Sequence, residues 1–289
     1  MKKFDVVVVG SANLDLVATL EHLPTPGETI LALDYAEHAG GKGLNQAVAC
    51  ARMGARTAFV GCVGRDDAGS YLREVLEREG IDTSLLRNVE SPTGRAFINV
   101  DQQGENAIVV VSGANAEVTP VELPGAAVVL LQLEIPLLTV VATLQAARSK
   151  NITTVLNPAP AQSLNAELLS LVDVAVPNEK EARLLGGKEQ LLTLGVREVV
   201  TTLGERGAEV ASRDGLTTVP PHVVKPVDTV GAGDAFTGAM CAMLAQGWSV
   251  KEAARVGAVA GALATTVHGA VPSLPTRQAV DTAIGGLSK

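Results

Sequence analysis

Three short stretches and one isolated carboxylate hold the residue types from which chemistry could be built. The densest is Asp228-Thr229-Val230-Gly231-Ala232-Gly233-Asp234, followed at once by an apolar-periodic segment beginning at Ala235. Small residues let a main chain approach a ligand closely, and a helix N-terminus presents unpaired N–H groups with a partial positive charge. Together they make an anion hole suited to a phosphoryl group. A carboxylate at its mouth, Asp234, can take the proton of an attacking hydroxyl while the amides hold the group in transfer. An Asp helix cap behind a glycine turn would carry the same letters. No Gly-Lys-Ser/Thr follows, so this is not a Walker A loop, and the glycine spacing is not that of a dinucleotide fold.

The second stretch, Gly40-Gly41-Lys42-Gly43-Leu44-Asn45-Gln46, opens another helix. Its carboxamides and N–H groups suit a polyhydroxylated ligand, or else form the polar start of a helix after a glycine turn. The third, Gly10-Ser11-Ala12-Asn13-Leu14-Asp15, closes an apolar run. Ligands of open α/β sheets gather at the carboxyl ends of strands. Asn13 and Asp15 are two apart, so in an extended chain they face the same side and can grip two hydroxyls. Glu134 ends the apolar run 128–133 just before Pro136, placed as a hydroxyl ligand or a solvated cap.

Alternating strands and helices must position these groups. Strands are expected at 4–10, 57–63, 128–133, 153–156, 172–176, 197–202 and 208–212. Helices are expected at 45–53, 68–79, 137–149, 179–185, 235–246, 250–267 and 277–284. This rhythm predicts a mostly parallel sheet with helices on both faces. Segments 14–38 and 94–111 break it with strand-like runs and no helices, the second folding back at Gln102-Gln103-Gly104-Glu105. They predict one small β-sheet projecting from the main body as a lid. The organisation is then a main domain of 1–11, 39–92 and 113–289, with a lid of 12–38 and 93–112.

The chain has 289 residues, 47% hydrophobic and 19% charged, with 29 Gly and 14 Pro, which excludes a disordered chain, a collagen and a coiled coil. No apolar run approaches the roughly 18 residues of a membrane span. The start leads into only four valines before Gly10, too short for a secretory signal, so a cytoplasmic protein without membrane contact is expected. With 23 Lys and Arg against 31 Asp and Glu the net charge is −8, and no basic cluster favours nucleic acid. Cys50, Cys62 and Cys241 show no CxxC spacing and read as buried thiols. The four histidines, His22, His38, His222 and His268, form no HExxH pattern.

Taken in order, residues 13–15, Pro24-Thr25-Pro26-Gly27-Glu28-Thr29, 40–46, Asn157-Pro158-Ala159-Pro160, Asn178-Glu179-Lys180-Glu181 and 228–234 resemble the ribokinase/PfkB family of carbohydrate kinases over about residues 5–275. The resemblance implies a ribokinase-like three-layer α/β/α fold with a small β lid, and an ATP-dependent sugar kinase. It makes Asp234 the general base and Gly231, Ala232 and Gly233 the anion hole. It gives the sugar to Asn13, Asp15, Gly41, Lys42, Asn45 and Glu134. Asn178 and Glu181 match the motif that orders Mg2+, its waters and the phosphates. Thr202, Gly204, Glu205 and Gly207 match a nucleotide-binding turn. Asp228, Val230, Ala264, Val267, Gly269 and Ser273 match the site of a monovalent cation, usually K+. Arg206 or Lys42 would add positive charge, or else stand as a solvated surface residue. In this family two lids clasp each other, which implies a homodimer. Segments 186–196 and 120–126 are short by the family's measure, and the small apolar residues at 257–259 stand where relatives often place Asn or His.

Asp15 and Glu134 would repel a phosphorylated sugar, which favours a free one. A nucleoside would want an aromatic platform, and the lid offers little beyond Tyr35 and Phe97. The expected reaction is phosphorylation of D-ribose at its 5-hydroxyl, with deoxyribose or a nucleoside as the alternative acceptor. A sugar-binding regulator without catalysis is the remaining class, opposed by the intact set of Asp234, Gly231, Gly233, Asn178 and Glu181.

Overall fold

The computed structural model describes residues 3–285. In chain order the strands are β1 (Val6–Val9), β2 (Asn13–Leu20), β3 (Asp34–Gly40), β4 (Thr57–Gly64), β5 (Asp82–Val89), β6 (Gly94–Asp101), β7 (Asn106–Val111), β8 (Val128–Leu131), β9 (Thr153–Leu156), β10 (Val174–Ala175), β11 (Glu198–Thr202), β12 (Ala208–Ser212) and β13 (Gly215–Val219). The helices are α1 (Lys42–Arg52), α2 (Asp67–Arg78), α3 (Leu137–Ser149), α4 (Ala166–Leu169), α5 (Glu179–Leu184), α6 (Gly187–Thr193), α7 (Ala232–Ala245), α8 (Val250–Ala264), α9 (Ala270–Ser273) and α10 (Arg277–Ile284).

Strand β1 consists of four valines, all buried. A strand that is apolar on both sides needs a cover on each face. Val6 and Val8 pack into one core with Leu44 and Val48 of α1, Met240 of α7 and Val256 of α8. Val7 and Val9 pack into a second core with Val140 and Leu144 of α3 and Leu168 of α4. The sheet between the two cores has the order β13-β12-β11-β10-β9-β8-β1-β4-β5. It is parallel from β5 to β11, and β12 and β13 close it antiparallel. The chain runs outward from β1 through β4 to β5, then returns to β8 on β1's other side. That reversal opens a crevice at the carboxyl ends of β1 and β8, where ligands of such sheets bind.

The two excursions form a separate four-stranded sheet, β3-β2-β6-β7. β2 and β6 run parallel, while β3 and β7 flank them antiparallel. Strand β3 continues to Gly40, directly before α1. The expected hairpin at 102–105 joins β6 to β7. Sequence patterning missed β5, α4, α6, β13 and α9. It drew the strand at 172–176 longer than β10 and began the first helix at 45, where α1 starts at Lys42. The helix expected to reach 267 stops at Ala264, where the hydroxyls of Thr265 and Thr266 bond back to the carbonyls of Ala262 and Leu263. Segment 186–196 holds the short helix α6. Among the described residues no helix is long and apolar enough to cross a membrane. The three cysteines are free and buried.

Candidate active site

Gly231 caps the N-terminus of helix α7, and its φ of 78° is the left-handed conformation that a side chain resists. The turn brings Asp234 into the first turn of the helix, among N–H groups that have no carbonyl one turn back to bond. Its carboxylate is gripped on both oxygens by α1. Asn45 donates from Nδ2 to Oδ2 at 3.0 Å, and Gln46 donates from Nε2 to Oδ1 at 2.8 Å. Burial raises the Asp234 pKa, opposed by the Lys42 ammonium and by these two amides, and Glu134 adds to the rise. Such a shift moves a carboxylate toward the range in which a general base works.

The crevice at β1 and β8 is closed by Glu134. Its Oε2 accepts from the Ser11 hydroxyl at 2.5 Å and from the Lys42 N–H at 3.1 Å. The β1 exit loop, the start of α1 and the end of β8 are thereby tied to one carboxylate oxygen. Asn13 and Asp15 enter from the first strand of the small sheet, and both are buried. Asn13 Oδ1 accepts from Asn115 Nδ2 at 2.7 Å, and Asn115 is itself fixed by the Ala12 N–H on its Oδ1. The Asn13 amide therefore keeps its donor end for a ligand. Asp15 has no hydrogen bond among the described residues, and its carboxylate lies so close to Gly40 that a Cβ there would sit 2.1 Å from Oδ2. Burial and the neighbouring Glu134 and Asp234 carboxylates push its pKa up to about 7. A buried carboxylate without donors is a group still waiting for hydroxyls.

Lys42 stands among these acids. Burial works against its charge, but Asp234, Glu134, Glu181 and Asp15 outweigh that and hold its pKa above the ordinary lysine value. A cleft of about 230 Å3 extends from it, lined by Asp234, Gly231, Gly233, Asn178, Glu181 and Thr202 as well as by Asn157, Ala159, Val176, Thr229 and Thr237. The second group was not assigned from sequence, although Asn157, Ala159 and Thr229 lie in motifs singled out there. Asn178 and Glu181 form a capping box on α5: Asn178 Oδ1 accepts the Glu181 N–H, and Glu181 Oε2 accepts the Asn178 N–H, each at 2.8 Å. This uses one oxygen of each side chain. Asn178 Nδ2 and Glu181 Oε1 stay outside the box, and burial raises the Glu181 pKa.

Other predicted residues lie at the margins. Gly204, Glu205 and Gly207 form the turn from β11 to β12 and do not line the cleft. Arg206 pairs with Glu179 at 2.6 Å on the surface, so Lys42 supplies the positive charge within the cleft. Asp228 staples two loops, accepting the Val230 N–H at 2.9 Å and the Gly269 N–H at 2.8 Å. Ala264 ends α8, Val267 and Gly269 lie in the loop that follows, Ser273 ends α9, and Ser273 Oγ lies 3.5 Å from where a Gly231 Cβ would be. Sequence reading took Gln46 as a possible sugar ligand, but it is fully buried and turned toward Asp234. Ser11, Asn115 and Gln132 were not singled out as ligands or supports. Only Ser11 stood in a noted stretch.

The pfkB family carbohydrate kinase profile matches residues 3–277. The chain belongs to this family and is a carbohydrate kinase of the ribokinase-like fold. Within it, the chain is 39% identical over 293 residues to the ribokinase of Haemophilus influenzae, covering 94% of this chain and 96% of that one. A ribokinase of Arabidopsis thaliana solved with ribose and ATP superposes with a TM-score of 0.88 at 34% identity, covering 97% of this chain and 98% of that one. A nucleoside kinase of Methanocaldococcus jannaschii shares the fold at a TM-score of 0.88 but only 21% identity, with 98% of this chain and 99% of that one covered.

Proposed function

We propose that the protein transfers the γ-phosphoryl group of ATP to the 5-hydroxyl of D-ribose, giving D-ribose 5-phosphate and ADP. The observation that carries this reading is the Asp234 carboxylate, held on both oxygens at the N-terminus of α7 and open to the cleft. Asp234 takes the hydroxyl proton. The sugar oxygen bonds to the γ-phosphorus, and the bond from that phosphorus to the bridging oxygen of ADP breaks. The amides at Gly231, Ala232 and Gly233 compensate the charge on the group in transfer, since phosphoryl transfer needs alignment and charge compensation more than covalent help. Asn13, Asp15, Gly41, Lys42, Asn45 and Glu134 hold the sugar. Thr202 and the turn at Gly204, Glu205 and Gly207 take the nucleotide. ATP as donor suits a cytoplasmic enzyme.

Mg2+ fits beside Asn178 and Glu181, where the carboxylate oxygen outside the capping box is a hard donor facing the cleft. A monovalent cation such as K+ fits the loops of Asp228, Val230, Ala264, Val267, Gly269 and Ser273, which offer mainly carbonyl oxygens and one carboxylate. When bound, these cations neutralise phosphate charge.

The register of the small sheet favours a bare sugar over a nucleoside. Asp15 pairs with Ala96, whereas Leu16 pairs with Phe97 and Ala18 with Tyr35. Alternation therefore puts both aromatics on the face opposite Asp15, leaving no stacking platform beside the sugar ligands. The Arabidopsis relative with ribose and ATP supports the same acceptor. We read the sheet as a lid that excludes water from the transfer. Its far face, with Phe97, Val109 and Val111 exposed, we assign to a second copy in a homodimer. The test is ADP release with ribose, deoxyribose and adenosine, with and without K+. Ribose is expected to be the preferred acceptor. A strong preference for adenosine rejects the proposal, and sugar binding without turnover would mark a regulator.

A further inference from the structure

Gln46 is fully buried, although it stands one residue from the sugar ligands of α1. Both of its N–H groups are used: Nε2 donates to Asp234 Oδ1 at 2.8 Å and to Asn157 Oδ1 at 3.0 Å. Its Oε1 accepts from Gln132 Nε2 at 2.6 Å. Asn157 cannot turn to accommodate it, because Asn157 Nδ2 is committed to the Val176 carbonyl at 2.7 Å. Reversing the Gln46 amide would set its oxygen against two acceptors, so its orientation is fixed. Gln132 is also fully buried, and its Oε1 has no partner among the described residues. Leaving a buried oxygen unpaired is costly, and here it lets the other end of the amide aim at Gln46.

We infer that Gln46, backed by Gln132, is the positioning residue that holds the Asp234 carboxylate in its working plane. Asn45 and Gln46 are consecutive on α1 and place one neutral donor on each carboxylate oxygen. An aspartate in a helix's first turn otherwise rotates about its side-chain torsions. The charged groups facing it are Lys42 from α1, Glu134 beyond β8, Asp15 from β2 and Glu181 from α5. Three of these four are acids, so losing a neutral donor leaves the ionised base less supported. This rests on Asp234 being the base.

The experiment measures kcat against pH, with KM for ribose and MgATP, for Gln46→Met, a swap of similar volume. The acid limb of kcat is expected to move up by about one to two pH units. At neutral pH kcat should fall roughly 10- to 100-fold, with both KM values within about threefold. Gln46→Glu, which brings a fourth acid to face the base, should move the limb further. Gln132→Met leaves Gln46 in place but untethered, so it should shift the limb in the same direction by less, and it serves as the readout if Gln46→Met does not fold. An unmoved limb in the folded variants overturns the inference. A silent Gln46→Met beside an inactive Asp234→Asn sinks this inference alone, whereas an active Asp234→Asn sinks the underlying assignment of the base.

Discussion

At the floor of the cleft the candidate base is already held in place. Asp234 has a donor on each oxygen, Gln46 has used both of its N–H groups, and Glu134 ties Ser11 to the main chain of Lys42. The small sheet is the opposite. Asp15 is buried without a hydrogen bond, and Ile108, Val109, Val110 and Val111 lie about half exposed or more along one edge strand. In the first region the base is oriented before any ligand arrives, which is what preorganised charge stabilisation requires. The second keeps a buried carboxylate with no hydrogen bond among the described residues and an exposed apolar edge strand. The candidate base is thus held within the main body, while Asn13 and Asp15 are carried on the small sheet.

The sharpest way to break this contrast is at the base. Asp234→Asn should lower kcat by roughly 10^2 to 10^4 while ribose affinity stays largely intact. A rate near that of the wild type would remove the distinction. Asp15→Asn probes the unfinished side, and its effects on binding and stability should oppose each other. Losing the charged ligand should raise KM for ribose roughly 10- to 100-fold. The folded pKa of Asp15, about 7, lies above its unfolded value of 3.8, so the native state binds that proton more tightly. The ligand-free protein then loses stability as pH rises from about 4 through about 7. The variant escapes that loss, so its Tm should exceed the wild type's by several degrees at pH 8 and match or trail it at pH 4, as calorimetry without sugar would reveal. The smallest effect on the fold is expected from Val109→Lys. Its side chain is exposed, so stability should change by no more than about 0.5 kcal/mol. Sedimentation at micromolar concentration should nonetheless show the wild type as the proposed dimer and the variant as a monomer; a monomeric wild type overturns the proposed dimer, and a dimeric variant moves the interface elsewhere.

Much of this was legible in the sequence because it is local. A glycine-rich run before an apolar helix marks the start of α7, and the two-residue spacing of Asn13 and Asp15 marks one face of β2. The supports were not legible, because their partners are distant along the chain. Ser11 and Glu134 are separated by 123 positions, Ala12 and Asn115 by 103, and Gln132 and Gln46 by 86. Nothing near any of these residues announces a partner. The missed strands β5 and β13 end the large sheet, and their half-exposed, irregular burial erases the pattern by which a buried strand is read.

The polypeptide passes between the large domain and the small sheet at residues 10–13, 40–42, 89–94 and 111–113. Asn13 and Asp15 ride on the small sheet, while Asp234 is anchored in the large one. A pentose held by all three would be a strut joining two bodies. The order of arrival then matters: a nucleotide entering first meets the base with no alcohol in front of it and no strut to draw the roof down. Sugar would thus act as the key that makes ATP reactive, and idle consumption of ATP would stay low wherever the pentose is scarce.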